Sequence, residues 1–86
     1  MQNDAEKSFS ELEKFVIERY FFNKKMDIKN EPMFSNGVID SLSVLELILK
    51  IEELFLAEFH IQYLIEDQVD TFEQMTKSIQ RVYGLN

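Results

Sequence analysis

No cysteine occurs in this 86-residue chain, so neither disulfide bridges nor thiolate metal ligation can support it. Glycine and proline are nearly as scarce, at two and one, which argues against a turn-rich β fold and favours helices joined by a few loops. The single histidine is His60, and Gly-x-Ser-x-Gly is missing, so the base and the strained nucleophile turn of a serine hydrolase are both wanting. Without Cys or a second His, His60 reads as a loop residue rather than a metal ligand. No apolar run approaches the length of a membrane span, and no basic n-region with an apolar h-region opens the chain. Bases are outnumbered by acids, nine to sixteen. The resulting net charge of −7 repels nucleic-acid phosphates and anionic lipid while attracting basic protein surfaces. These absences predict a cytoplasmic chain with no membrane insertion, no nucleic acid and no catalytic apparatus of its own.

What is present suits one small helical core. Apolar residues make up 45% of the chain and include eight phenylalanines, enough for a domain near the lower size limit for folding without staples. Residues 1–86 read as a single domain, with 1–7 polar and frayed. Ser8-x-x-Glu11 has the form of a capping box ahead of Phe9, Leu12, Val16 and Tyr20 at helical spacing. A first helix is expected from about 9 to 22, widened on its apolar side by Phe15, Ile17, Phe21 and Phe22.

Residues 23–40, with Asn30, Pro32, Asn36 and Gly37, form a long connection. Met26, Ile28, Met33, Phe34, Val38 and Ile39 within it predict a loop laid over the helices and adding to their core. A second helix is expected from about 41 to 56. A connection over 57–63 should turn Phe59 and Ile61 inward, and a short helix follows near 64–69. Thr71-x-x-Gln74 is another capping box, opening a last helix with Phe72, Met75, Ile79 and Tyr83 on one face and Gly84 at its end. Asp67, Asp70, Glu66 and Glu73 lack the spacing of a calcium loop and read as a solvated acidic face. The fold class is therefore all-α: a small bundle of three longer helices and one short one, with a long loop between the first two.

The most informative segment is Gly37-Val38-Ile39-Asp40-Ser41-Leu42. Asp40 is a strong N-cap residue, because its carboxylate can accept backbone N–H bonds that a first helical turn leaves unpaired. Ser41 then presents a hydroxyl at the positive end of a helix dipole, where a phosphate ester is favoured. The alternative is a serine that serves only as a first-turn residue. On a wheel with 3.6 residues per turn, Val44, Leu47, Ile48, Ile51 and Phe55 fall between about 240° and 340° from Ser41 and form the core face. Leu45, Leu49 and Leu42 fall at about 40°, 80° and 100°, on a second face, with Glu52 near about 20° and Glu53 and Glu46 near about 120° and 140°. An apolar stripe with a charged rim is the common build of an interaction surface. It also fits a cover by the long loop, a homodimer contact, or a helical adaptor that docks a stable partner. Leu54 and Leu56 would enlarge either surface.

With Asp40-Ser41-Leu42 followed by Val44-Leu45-Glu46-Leu47 and Ile51-Glu52-Glu53-Leu54-Phe55, the chain resembles the acyl carrier protein superfamily over roughly residues 8–84. The resemblance implies a four-helix bundle whose Ser41 is esterified by 4′-phosphopantetheine from coenzyme A, the thiol of that arm holding cargo as a thioester. It implies that Asp40 caps the helix and positions Ser41 for a phosphopantetheinyl transferase. Leu42, Leu45 and Leu49 would be apolar docking contacts. Glu46, Glu52 and Glu53 would meet basic residues on the transferase, on an acyl- or aminoacyl-loading ligase and on downstream acyl-handling enzymes. A monomer is expected. Carriers of fatty acid synthesis resemble Gly-Ala-Asp-Ser-Leu-Asp, whereas this chain has Val38-Ile39 before the Asp and Ser43 after the Leu. That departure is more similar to D-alanyl carrier proteins and other stand-alone aminoacyl or peptidyl carriers, which implies a specialised pathway.

Overall fold

The computed structural model describes residues 4–22 and 27–85. Among the described residues four α-helices follow one another: α1 Asp4–Tyr20, α2 Ser43–Phe55, α3 Ile61–Glu66 and α4 Phe72–Tyr83. Among the described residues there is no strand, only an isolated antiparallel bridge between Pro32 and Thr71. The predicted all-α bundle, with its short third helix and long first connection, is the observed architecture.

Apolar residues three and four apart put one stripe of each helix into a common core. Leu12 and Val16 of α1, Leu47 and Ile51 of α2, Leu64 of α3, and Met75 and Ile79 of α4 belong to one buried cluster. The long connection joins them, with Ile28, Met33 and Ile39 buried in that cluster. Its backbone is hooked to the start of α4. The Met33 N–H donates to the Asp70 carbonyl at 2.7 Å, and the Glu73 N–H to the Lys29 carbonyl at 3.1 Å. The Asp70 carboxylate takes the Phe34 and Ser35 N–H groups at 2.9 Å each and the Ser35 hydroxyl at 2.6 Å. Gly37, at φ +80°, supplies the left-handed turn that returns the chain toward Ile39, whose N–H donates to the Met33 carbonyl at 2.8 Å. The segment entering α2 is thereby held against the bundle.

At the far end of α2, aromatic rings close the core. Phe55 lies 4.9 Å from Phe9 and 5.5 Å from Tyr83, centroid to centroid. The Tyr83 hydroxyl reaches the Ala57 and Glu58 carbonyls at 3.0 and 3.1 Å, pinning the α2–α3 connection. Asp67 ties α3 to α4, accepting from Ser78 Oγ and Arg81 Nη2 at 2.7 Å each.

Several boundaries differ from the sequence expectations. Residues 4–7, expected to fray, are helical; Asp4 and Glu6 suit the positive end of the α1 dipole. Residues 1–3 lie outside the described residues. Helix α1 starts upstream of Ser8, so the Ser8-x-x-Glu11 box caps nothing, and Ser8 Oγ donates instead to the Leu54 carbonyl at 3.1 Å. The helix stops at Tyr20 rather than 22, because Phe22 turns left-handed at φ 57° and points its ring to solvent. Helix α3 begins at Ile61, not 64, and ends at Glu66, where Gln68 at φ 52° breaks the turn. That early start leaves Phe59 buried as expected but brings Ile61 to the surface. Regular α2 runs two residues later at its start and one shorter at its end than expected. Met26, assigned to the core from sequence, lies outside the described residues. Helix α4 follows its pattern closely: Thr71 and Gln74 form the reciprocal capping box, and Gly84 closes the helix at φ 68°.

Leu56 closes α2 in the left-handed conformation (φ 58°), a position that favours glycine, and its side chain is 88% exposed. Little packing is lost on removing it. Leu56→Gly should therefore raise stability by about 1 kcal/mol, the scale of the left-handed penalty for a residue with a Cβ. A denaturant midpoint that falls would show that the leucine contributes packing beyond its exposure.

Candidate functional site

The site is built where the long connection enters α2. Asp40 Oδ1 accepts the Leu42 and Ser43 N–H groups at 3.1 and 2.8 Å, while the Asp40 carbonyl accepts the Val44 N–H at 3.0 Å. Leu42 has helical φ and ψ of −83° and −42°. The first turn thus reaches back to Asp40 in its hydrogen bonding, ahead of regular α2 at Ser43. Ser41 is the residue after this carboxylate cap and is exposed. The Ser43 N–H and hydroxyl, with the Leu42 N–H, hold the Asp40 carboxyl below the usual carboxylate range.

Beside Ser41 opens an apolar cleft of about 270 Å³. Phe34 and Ile39 of the connection, Val44 of α2, and Ile61, Leu64 and Ile65 of α3 line it together with Asp40 and Ser41. Ile61, expected from sequence to turn into the core, instead lines this cleft, and Ile65 carries no sequence signal, because the helix holding both is too short for periodicity to place.

Along α2 the two faces diverge. Val44, Leu47, Ile48 and Ile51 are buried, whereas Leu42, Leu45 and Leu49 are 78%, 57% and 65% exposed. The described part of the long connection, residues 27–40, therefore does not cover the leucine stripe. The three rim carboxylates differ from one another. Glu46 meets the Arg19 guanidinium through both oxygens, Nε to Oε1 and Nη2 to Oε2 at 2.9 Å each, and takes the Tyr20 hydroxyl at 3.1 Å. Arg19, then Tyr20, draws the Glu46 carboxyl below its ordinary value, while burial pushes the Tyr20 phenol up. Glu52 Oε2 accepts the Phe59 N–H at 2.9 Å, holding the α2–α3 connection. Glu53 is exposed, with Lys50 at 3.6 Å. Periodicity puts all three on one rim; it carries no signal that Arg19 and Tyr20, a helix away, would engage one of them.

Two of the acidic residues that read as a solvated face have hydrogen-bond partners: Asp67 with Ser78 and Arg81, Asp70 with Ser35. Among the described residues no group of three or more His, Asp or Glu side chains could hold a metal ion. No helix among them is long and apolar enough to cross a membrane.

A protein named D-alanyl carrier protein from Streptococcus uberis is 31% identical over 67 residues, which cover 78% of this chain and 85% of that relative. The chain belongs to the acyl carrier protein superfamily. Proteins of the same name from Streptococcus equi subsp. zooepidemicus and subsp. equi are 28% identical over 67 residues with the same coverage. No protein-family model and no solved structure matches the chain. These relatives support a carrier function and do not favour the adaptor alternative for the leucine stripe.

Four carboxylates, Asp40, Glu46, Asp67 and Asp70, are held below their ordinary values by hydrogen bonds and should contribute to the acid limb of this carrier's stability. A depressed carboxyl contributes stability that is fully present above its unfolded value, about 3.9 for Asp and about 4.3 for Glu, and is lost as pH falls through the folded value. Melting temperature at fixed high salt, which screens the net charge, should hold down to about pH 4 and fall below it. Asp70→Asn should lower the melt at neutral pH and flatten that fall. An acid limb of equal steepness in the variant would remove Asp70 from the account.

Proposed function

We propose that this carrier holds an acyl or aminoacyl group as a thioester on a 4′-phosphopantetheine arm esterified to Ser41. The observation carrying the proposal is an exposed serine hydroxyl one residue past a carboxylate-capped helix start, beside an uncovered leucine stripe. A phosphodiester there would lie against the positive end of α2, where a negative charge is favoured. The residues present fit the arm: the hydroxyl is accessible, the cap is made by Asp40 rather than by Ser41, and modification leaves the buried cluster untouched. The arm's terminal thiol supplies the thioester chemistry; the chain supplies attachment, presentation and docking.

Partners on this reading are a phosphopantetheinyl transferase, an acyl- or aminoacyl-loading ligase and downstream enzymes with basic docking patches. Leu42, Leu45 and Leu49 give apolar contact, and Glu53 with Glu46 and Glu52 gives the acidic rim. Charged rims raise encounter rates more than affinity, which suits a shuttle that must leave each partner. The carrier acts as a cytoplasmic monomer in a specialised pathway. The relatives' D-alanyl name makes an aminoacyl group the favoured cargo. The test is intact mass after incubation with coenzyme A, magnesium and a broad-specificity phosphopantetheinyl transferase. One phosphopantetheine adduct, mapped to the peptide bearing Ser41, is expected; a folded chain that takes none, from its cognate transferase as well, overturns the proposal.

A further inference from the structure

Among the described residues two cations, Arg19 and Lys50, pair with the rim carboxylates, and of these only Arg19 does so through both oxygens. Arg19 projects from the last turn of α1 onto Glu46, the rim carboxylate one and a half turns from Ser41. Its fork takes both carboxylate oxygens in parallel, the geometry that a partner's arginine would itself use. Both side chains are substantially exposed, so the pair is open to exchange rather than locked in a dry interior. The Tyr20 hydroxyl, on a ring that belongs to the core, also donates to Glu46 Oε1 and to the Ser43 carbonyl, so the carboxylate keeps one tie to the bundle if Arg19 swings away. At the opposite end of the helix, Glu53 and Glu58 are exposed and, among the described residues, pair with Lys50 and His60 at 3.6 and 3.8 Å. The face thus carries a bidentate ion pair at Glu46, near Ser41, and a longer single-contact pair at Glu53 toward its far end.

We propose that Arg19 is a built-in competitor for the partner's cation at Glu46, so that docking beside Ser41 requires exchange of one guanidinium for another. The inference rests on the carrier reading and adds a specificity-determining residue outside the recognition helix. Partners whose basic patch can displace Arg19 are admitted to the Ser41 end; other basic proteins are held to the distal carboxylates. Because an exposed ion pair is weak, the exchange costs little and tunes affinity by a few-fold rather than abolishing it.

The experiment measures KM and kcat for phosphopantetheine transfer to the intact chain at low and moderate salt, with melting curves alongside. Arg19→Gln should lower KM about two- to fivefold, the scale of an exposed ion pair, with kcat unchanged and a steeper salt dependence. Arg19→Gln combined with Glu46→Gln should return KM to near the parent value. Lys77→Gln makes the same change in net charge on α4, away from this corner, and should not reproduce the gain. An Arg19→Gln KM that is unchanged or higher in a folded chain overturns the proposal, as does an equal gain from Lys77→Gln. If the parent chain itself takes no adduct from any transferase, the carrier reading fails and this inference with it; a modified parent with an unresponsive Arg19 defeats the inference alone.

Discussion

Ser41→Ala should take up no phosphopantetheine under conditions that modify the parent chain completely, and should fold as the parent does. The two halves of that expectation have separate physical grounds. The exposed hydroxyl is the attachment atom on the carrier reading, and no other side chain can stand in for it at this point of the turn. Ser43, two residues on, is half-buried, with its N–H already given to Asp40. The cap that starts α2 is the Asp40 carboxylate, which the substitution leaves in place, and alanine is at least as good a helix former as serine. Exposed substitutions away from caps and cores move stability by no more than about 0.5 kcal/mol. For a domain this size that is a shift in melting temperature of under about 4 °C. Intact mass and a thermal melt on the same sample check both halves. An adduct that persists in the variant would move the attachment point elsewhere. Ser43→Ala is the companion control and should still be modified.

Legibility in the sequence followed the range of the interaction. Thr71 and Gln74 could be read as a capping box because both bonds close within four residues, and Gly84 as a helix stop because its left-handed φ is a local requirement. The same pattern at Ser8 and Glu11 misled, since nothing local distinguishes a cap from a serine inside a longer helix whose hydroxyl serves a carbonyl 46 residues away. The two faces of α2 were legible because one helix of this length samples the whole wheel. Helix α3 was not, because its six residues are fewer than two turns. Ile61 and Phe59 look alike in sequence, and only the point at which the helix starts decides which of them faces the core. At the site, Asp40, Ser41 and the leucines came from pattern. The partners of Glu46 and Glu52 did not, because Arg19, Tyr20 and the Phe59 N–H reach them through tertiary contact.

Leu47 and Leu49, two residues apart on α2, should fail in opposite ways when truncated to alanine. Leu47 is fully buried, in the cluster that also holds Leu12, Val16, Ile51 and Met75. Its removal loses the transfer free energy of the side chain and leaves a cavity the surrounding helices fill only in part, a cost of about 2–5 kcal/mol. Total stability in domains of this kind is about 5–15 kcal/mol, so the denaturant midpoint should fall steeply and part of the chain should be unfolded at physiological temperature. Leu49 has its side chain in solvent, and its truncation should leave the midpoint within about 0.5 kcal/mol of the parent. Its effect belongs to docking: truncating an apolar anchor at the centre of an interface costs more than about 1 kcal/mol, which is about a fivefold or greater rise in KM for the transferase or the loading ligase. Leu45→Ala should behave like Leu49→Ala, and the pair together should weaken docking further without touching the melt. Chemical denaturation sets the first axis and steady-state transfer kinetics the second. If Leu49→Ala lowers stability as Leu47→Ala does, the stripe is a second core face rather than a docking surface. If it changes neither axis, partners engage this carrier somewhere other than the exposed leucines of α2.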